Sequence, residues 1–174
     1  MKFLLFAQVL LMGLAAPAAA QRTSRPSLRA LDQKNGFRDV VFGTPLADLR
    51  SMRLVETNRL GQVFQRPTDA LREGGAALSS LGYGFYKGQL ASVLLVTKGL
   101  ANSRALLQAL QASYGPGVEQ TGFRARGYVY YLWKGRVATM FYLEDPGHDA
   151  WVTISNEALS RAFKRDPAAA EFAK

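Results

Sequence analysis

The sequence predicts an α+β fold: a mostly antiparallel, curved sheet built of hairpins, with about three helices packed mainly on one face. Three observations carry this expectation. Residues 81–99, LGYGFYKGQLASVLLVTKG, are two apolar segments joined by a tight polar turn at Lys87 and Gly88. That is the pattern of a β-hairpin, and its second arm, apolar on both faces, reads as a core strand. Downstream, SRALLQALQASY keeps Leu106, Leu107, Leu110 and Tyr114 at helical spacing and stops at Gly115-Pro116-Gly117. The last third is again strands joined by short turns, with few crossover helices, which favours antiparallel pairing.

Taken in order, residues 1–20 read as a signal peptide. Lys2 supplies the positive start, residues 3–14 an apolar run, and Ala18-Ala19-Ala20 the small residues a signal peptidase needs. The apolar run falls short of the roughly 20 residues that span a bilayer, so no transmembrane segment is expected after cleavage. Residues 21–35 are polar, Arg-rich and interrupted by Pro26, a flexible basic arm with a short helical stretch around Leu28 to Leu31. Residues 36–166 read as one α+β domain, and 167–174 as a C-terminal tail.

Within the domain, FRDVVF at 37–42 reads as a strand. Thr44 is an N-cap for a short helix begun by Pro45, whose missing N–H costs nothing at a first helical position. Residues 53–56 and 62–65 read as short strands, and 68–77 as a Gly-containing loop. After the 81–99 hairpin, Asn102 is the expected cap of the 103–114 helix. Residues 118–121, 128–133, 137–143 and 150–154 read as strands, and Asn156 caps a final helix, EALSRAFKR. A helix followed by hairpins occurs in each half, with Lys-Gly turns at 87–88 and 134–135, a faint internal echo.

Composition narrows the function classes. With no cysteine, lipidation at a mature N-terminal Cys, disulfides, thiolate metal sites and cysteine nucleophiles are excluded. The formal charge is +9, or +8 once Lys2 leaves with the signal peptide. The cations are scattered rather than blocked, and export argues against nucleic acid as a partner. The expected location is the periplasm or the exterior. An electrostatic binder of anionic lipid or polysaccharide is one alternative this balance allows.

The segments VVFGTPLADLR, YGFYKGQLASVLL and ALLQALQASYGPG resemble small exported bacterial α+β domains of unknown function, in which a G-x-P/T helix start precedes a sheet ending in Y-x-F-x-x-G-x-L-x-x-V. They are distantly similar to the helix-plus-sheet units of the beta-lactamase-inhibitor-protein-like fold and of small outer-membrane assembly lipoproteins. The resemblance covers residues 37–116 and rests on fold-forming positions, so it implies a fold and no active site. This chain lacks the lipidated cysteine of the lipoproteins and the disulfides of the inhibitor.

Two constellations are chemically suggestive. The loop Glu144-Asp145-Pro146-Gly147-His148-Asp149 gathers carboxylates around the sole histidine, donors for a hard or borderline cation. Its spacing is neither that of an EF-hand nor a zinc signature, and Asp-Pro-Gly is also plain turn chemistry. A small hydrolase or metal-dependent enzyme using Glu144, Asp145, His148 and Asp149 is therefore an alternative. No G-x-S-x-G elbow accompanies His148, Gly82-Tyr83-Gly84 fits no phosphate loop, and no cofactor is expected.

The second constellation is the strand YVYYLW with its partner VATMFYL. Tyr128, Tyr130 and Leu132 point one way, and Val129, Tyr131 and Trp133 the other. Met140 and Tyr142 likewise oppose Phe141 and Leu143. A sheet covered on one side only should be polar on its second face, so an aromatic second face means either that the chain's own segments cover it as further core or that it meets a partner. The leading expectation is a non-enzymatic exported domain that binds a protein or cell-envelope component through this face, with Tyr128, Tyr130, Tyr131, Trp133 and Tyr142 as candidate contacts.

Overall fold

The computed structural model describes residues 26–58 and 61–167. The signal-peptide reading, the first part of the basic arm and nearly all of the C-terminal tail lie outside the described residues. Within them the chain runs α1 (Pro26–Lys34), β1 (Gly36–Phe37), β2 (Val40–Val41), β3 (Arg53–Asn58), β4 (Gly61–Gln65), β5 (Arg72–Glu73), β6 (Ala76–Ala77), β7 (Ser80–Tyr86), β8 (Gln89–Thr97), α2 (Gly99–Tyr114), β9 (Val118–Glu119), β10 (Val129–Lys134), β11 (Ala138–Glu144), β12 (Ala150–Asn156) and α3 (Glu157–Arg165). Short 3-10 turns occupy Leu46–Asp48 and Thr121–Arg126.

The expected α+β class holds. Eight strands form one open sheet in the order β3-β4-β7-β8-β12-β11-β10-β9, with antiparallel pairing throughout. The first four of these strands and the last four run in opposite sequence order and meet at β8 and β12. A helix precedes each four-strand set. The two Lys-Gly turns are not equivalent, however: Lys87-Gly88 joins the third and fourth strands of its set, Lys134-Gly135 the second and third of the other. At the first turn Lys87 and Gly88 both have positive φ, 49° and 75°, the geometry a two-residue hairpin needs to match strand twist.

One face of the sheet is the core. Tyr83, Val93, Ile154, Met140 and Trp133 form a cross-strand row there, and Leu81, Leu95, Val152 and Tyr142 form the next. All nine are buried. They are covered by Leu31 of α1, by Leu106, Leu107 and Leu110 of α2, and by Phe37, Val40, Ala76 and Leu78 of the small hairpins. The helical spacing of the leucines in α2 is thus a covering face. Gly117 abuts the indole of Trp133, where a methyl group would stand 2.6 Å from the ring, and Trp133 Nε1 donates to the Gly115 carbonyl at 2.8 Å.

Several sequence expectations need correction. Residues 37–42 are not one strand: Arg38, at φ 53°, turns the chain back into the β1–β2 hairpin. Arg66 pins that turn by gripping both oxygens of Asp39 at 2.8 and 2.9 Å, and it also pairs with Asp69. Thr44 caps nothing. Its carbonyl accepts from Leu90 N while Gly43 N donates to Leu90 O, so the segment is stitched along β8, and Pro45 takes the cap position of a 3-10 turn. Asn102 lies inside α2, which starts at Gly99, and its side chain accepts from Ala77 N. The loop at 68–77 contains the β5–β6 hairpin. Asn156 does cap α3, accepting from Ala158 N and Leu159 N.

The basic arm also differs from expectation, because α1 is part of the domain. Leu31 is buried in the core, and Asp32 accepts backbone N–H groups from Arg136, Val137 and Ala138 at 2.8, 2.9 and 3.1 Å. Burial pushes this carboxyl up, but the three donors outweigh it and hold Asp32 below its ordinary value. A folded pKa below the unfolded one gives stability that is present above the unfolded value, near 4, and lost as pH falls through the folded one. Asp32→Ala is therefore expected to cost about 2–3 kcal/mol at neutral pH. Urea denaturation should show that penalty shrinking toward pH 2, and a pH-independent penalty would refute the role.

Candidate functional site

The second face of the sheet follows from the same register. Because side chains alternate, the residues between the core positions form three rows pointing away from α1 and α2. The first row is Gly84–Ser92–Ser155–Thr139–Lys134, the second Gly82–Leu94–Thr153–Phe141–Leu132, and the third Ser80–Val96–Trp151–Leu143–Tyr130. The rows grade from hydroxyl-bearing to apolar across the face.

Among the described residues, α3 covers the first row and the Thr153–Phe141 part of the second. The chain leaves β12 at Asn156 and turns directly into α3, which lies over this end with Leu159 and Phe163 inward. Phe163 meets Tyr86 edge-on at 5.4 Å. The Tyr86 hydroxyl donates to Asp166 at 2.7 Å, and Lys87 pairs with the same carboxylate at 2.9 Å. Beneath the helix is a cavity of about 330 Å³ bounded by Ser92, Thr153, Ser155 and Phe141 on the sheet side.

The third row is open. Trp151 retains 37% exposure although it sits in the middle of the sheet, and Val118 and Phe123 at the β9 edge retain 65% and 44%. Aromatic rings are braced edge-to-face along this edge, Phe123 on Tyr130 at 5.2 Å and Tyr130 on Phe141 at 6.2 Å. Such contacts fix ring positions before any partner arrives, which lowers the entropy lost on binding. Lys134 ends the first row at the β10 edge, and Arg161 and Lys164 belong to α3, which roofs that same row.

The candidate contacts divide between the two faces. Tyr130 lies on the open face, and Tyr128 is half-buried just ahead of β10. Trp133 and Tyr142 are corrected: both are fully buried under the helices, and Tyr131 packs half-buried on that same side beside Trp133. A partner could reach Trp133 or Tyr142 only by removing α1 and α2. Sequence reasoning missed Trp151, Leu94 and Val96. Their signal was the alternation of Trp151, Thr153 and Ser155 against the wholly apolar Val152 and Ile154, which marks β12 as two-faced.

The acidic loop is engaged with its own chain. Glu144, 1% exposed, accepts the Tyr142 hydroxyl at 2.6 Å, faces His148 Nδ1 at 2.9 Å and pairs with Arg104 at 3.3 Å. Burial, then the bond to Glu144, pushes the Tyr142 phenol well up. Asp145 accepts from Asp149 N at 3.0 Å. Asp149 turns to α2, meeting Lys98 Nζ at 2.5 Å and capping the helix through Gly99 N at 3.1 Å. Lys98, then Gly99, holds the Asp149 carboxyl below its ordinary range. Among the described residues no three histidine, aspartate or glutamate groups converge as a metal site.

No family model and no curated protein matches this sequence. Among solved structures, the chain is similar to a DUF4309 family protein (YjgB) from Bacillus subtilis, at 14% identity and a TM-score of 0.31, over 62% of this chain and 66% of that one. The chain thus spans just under two thirds of that protein's length.

Proposed function

We propose that this is an exported, non-enzymatic domain of the periplasm or exterior that binds a protein through the open half of its sheet. The carrying observation is the row Val96–Trp151–Leu143–Tyr130, an apolar and aromatic strip that no helix among the described residues covers. Interface cores have this character, with rigid aromatic residues as anchors. The partner should present an apolar centre and be acidic overall, because the chain carries a formal charge of +9 and Lys134, Arg161 and Lys164 stand on the same face, two rows from the strip.

The test uses the mature protein to capture envelope proteins, identifies the captured species by mass spectrometry, and repeats the measurement with the purified partner. Trp151→Ala is expected to weaken that complex by about 2 kcal/mol, roughly 30-fold, as an anchor residue should. Equal binding by Trp151→Ala and Tyr130→Ala variants would sink the proposal. Binding that responds to salt but not to Trp151 instead identifies an electrostatic binder of anionic lipid or polysaccharide. A mass that doubles with concentration in light scattering identifies a second copy as the occupant.

A further inference from the structure

The α3-roofed end of the face is chemically unlike the open strip. Ser92, Ser155 and Thr139 form a hydroxyl row across β8, β12 and β11, with Thr153 diagonal to it. Glu157 already accepts the Thr139 hydroxyl and pairs with Arg161 at 3.5 Å. Ser92 and Thr153 are nearly buried and line the cavity, and among the described residues no side-chain hydrogen bond engages their hydroxyls. Ser92 has its place because Gly84 beneath it has no side chain, where a methyl group would stand 2.2 Å from its hydroxyl. Lys164 stands at the wall of this cavity with no carboxylate at ion-pair distance among the described residues.

The remaining lining is apolar: Ala91, Phe141, Leu159 and Phe163. A cation and hydroxyl groups on one side of the cavity, facing this apolar lining, complement a molecule that has an anionic head and one apolar chain. The cavity's volume is at the low end of small-molecule sites.

We propose that the cavity between α3 and the sheet binds a single-chain amphiphile of the fatty-carboxylate class, its head at Lys164, Ser92 and Thr153 and its chain along Phe141, Leu159 and Phe163. The head gains a charge-assisted partner in Lys164, and hydroxyls that lack a side-chain partner among the described residues gain an acceptor. The chain covers the apolar lining of the cavity and so removes that surface from water. This site is separate from the protein-binding strip, so either proposal stands if the other fails.

Calorimetric titration of the mature protein with dodecanoate below its micelle concentration tests it, alongside dodecanol and acetate. Saturable one-to-one binding of dodecanoate is expected, with dodecanol about tenfold weaker and acetate giving no heat. Lys164→Glu should weaken dodecanoate about tenfold, since it reverses the charge that faces the head. Ser155→Leu, which fills the cavity from a partly exposed position, should abolish binding while circular dichroism confirms the fold. Unsaturable uptake overturns the proposal, as does equal affinity for dodecanoate and dodecanol. So does binding lost on Trp151→Ala and kept in both Lys164→Glu and Ser155→Leu, which would place the chain on the open strip. Binding only to phosphatidylglycerol vesicles, with none to monomeric dodecanoate, overturns it too.

Discussion

Trp133→Ala is expected to destabilise the domain by about 3–5 kcal/mol, the range for deleting a buried aromatic side chain. The indole is 1% exposed, packs on Gly117, pairs across the sheet with Met140, and donates to the Gly115 carbonyl that ends α2. Truncation removes the ring's contacts and opens a cavity between β10 and the end of that helix. It also leaves the Gly115 carbonyl without its donor. Against a total stability of roughly 5–15 kcal/mol for a domain, this approaches unfolding. Trp151→Ala, on the opposite face, should cost less than about 1 kcal/mol, as exposed positions do. Urea melts of the two variants test the assignment of faces in one experiment. Similar losses would mean that the open strip is covered, and a small loss at Trp133 would return that residue to the list of possible contacts.

The contrast between these two tryptophans marks what the chain reveals of itself. Alternation in YVYYLW separates Tyr130 from Tyr131 and Trp133 without structural information, because a strand has no other option. It does not say which side is covered, since that depends on α1 and α2, one of them about a hundred residues away along the chain. The turn at Lys87-Gly88, the covering leucines of α2 and the Asn156 cap were all legible because each is fixed by neighbours within a few positions. The start of α2 was not, because its cap is Asp149 on a distant loop. Nor was the docking of α1, whose anchor is Asp32 reaching the loop after β10. At Arg38 a residue with no special turn preference takes positive φ, and tertiary ion pairs around Arg66 overrule the strand pattern. The candidate site was half legible for the same reason. Its aromatic content could be read, whereas its membership required the register of β8 against β12.

Glu144→Ala is the second large effect, at about 2–4 kcal/mol, because it takes the nearest acceptor from a buried phenol and leaves a cavity where the carboxylate sat. The carboxylate is enclosed, with one oxygen on the Tyr142 hydroxyl and the other between His148 Nδ1 and Arg104. Alanine leaves the Tyr142 phenol, itself buried, without its nearest acceptor, and Ser103 O at 3.0 Å is then its remaining partner. Arg104 and His148 lose less, since their side chains are 45% and 48% exposed and water can take over. Glu144→Gln keeps the volume and an acceptor for Tyr142, so about 1–3 kcal/mol is expected. The same pair of variants separates the two readings of the loop. A network internal to the chain loses the full amount in buffer containing EDTA. A metal centre would make wild type and Glu144→Ala equally stable once the ion is removed, and would leave a gap only when the ion is restored. The geometry favours the first result, because each oxygen of Glu144 already faces a donor from its own chain.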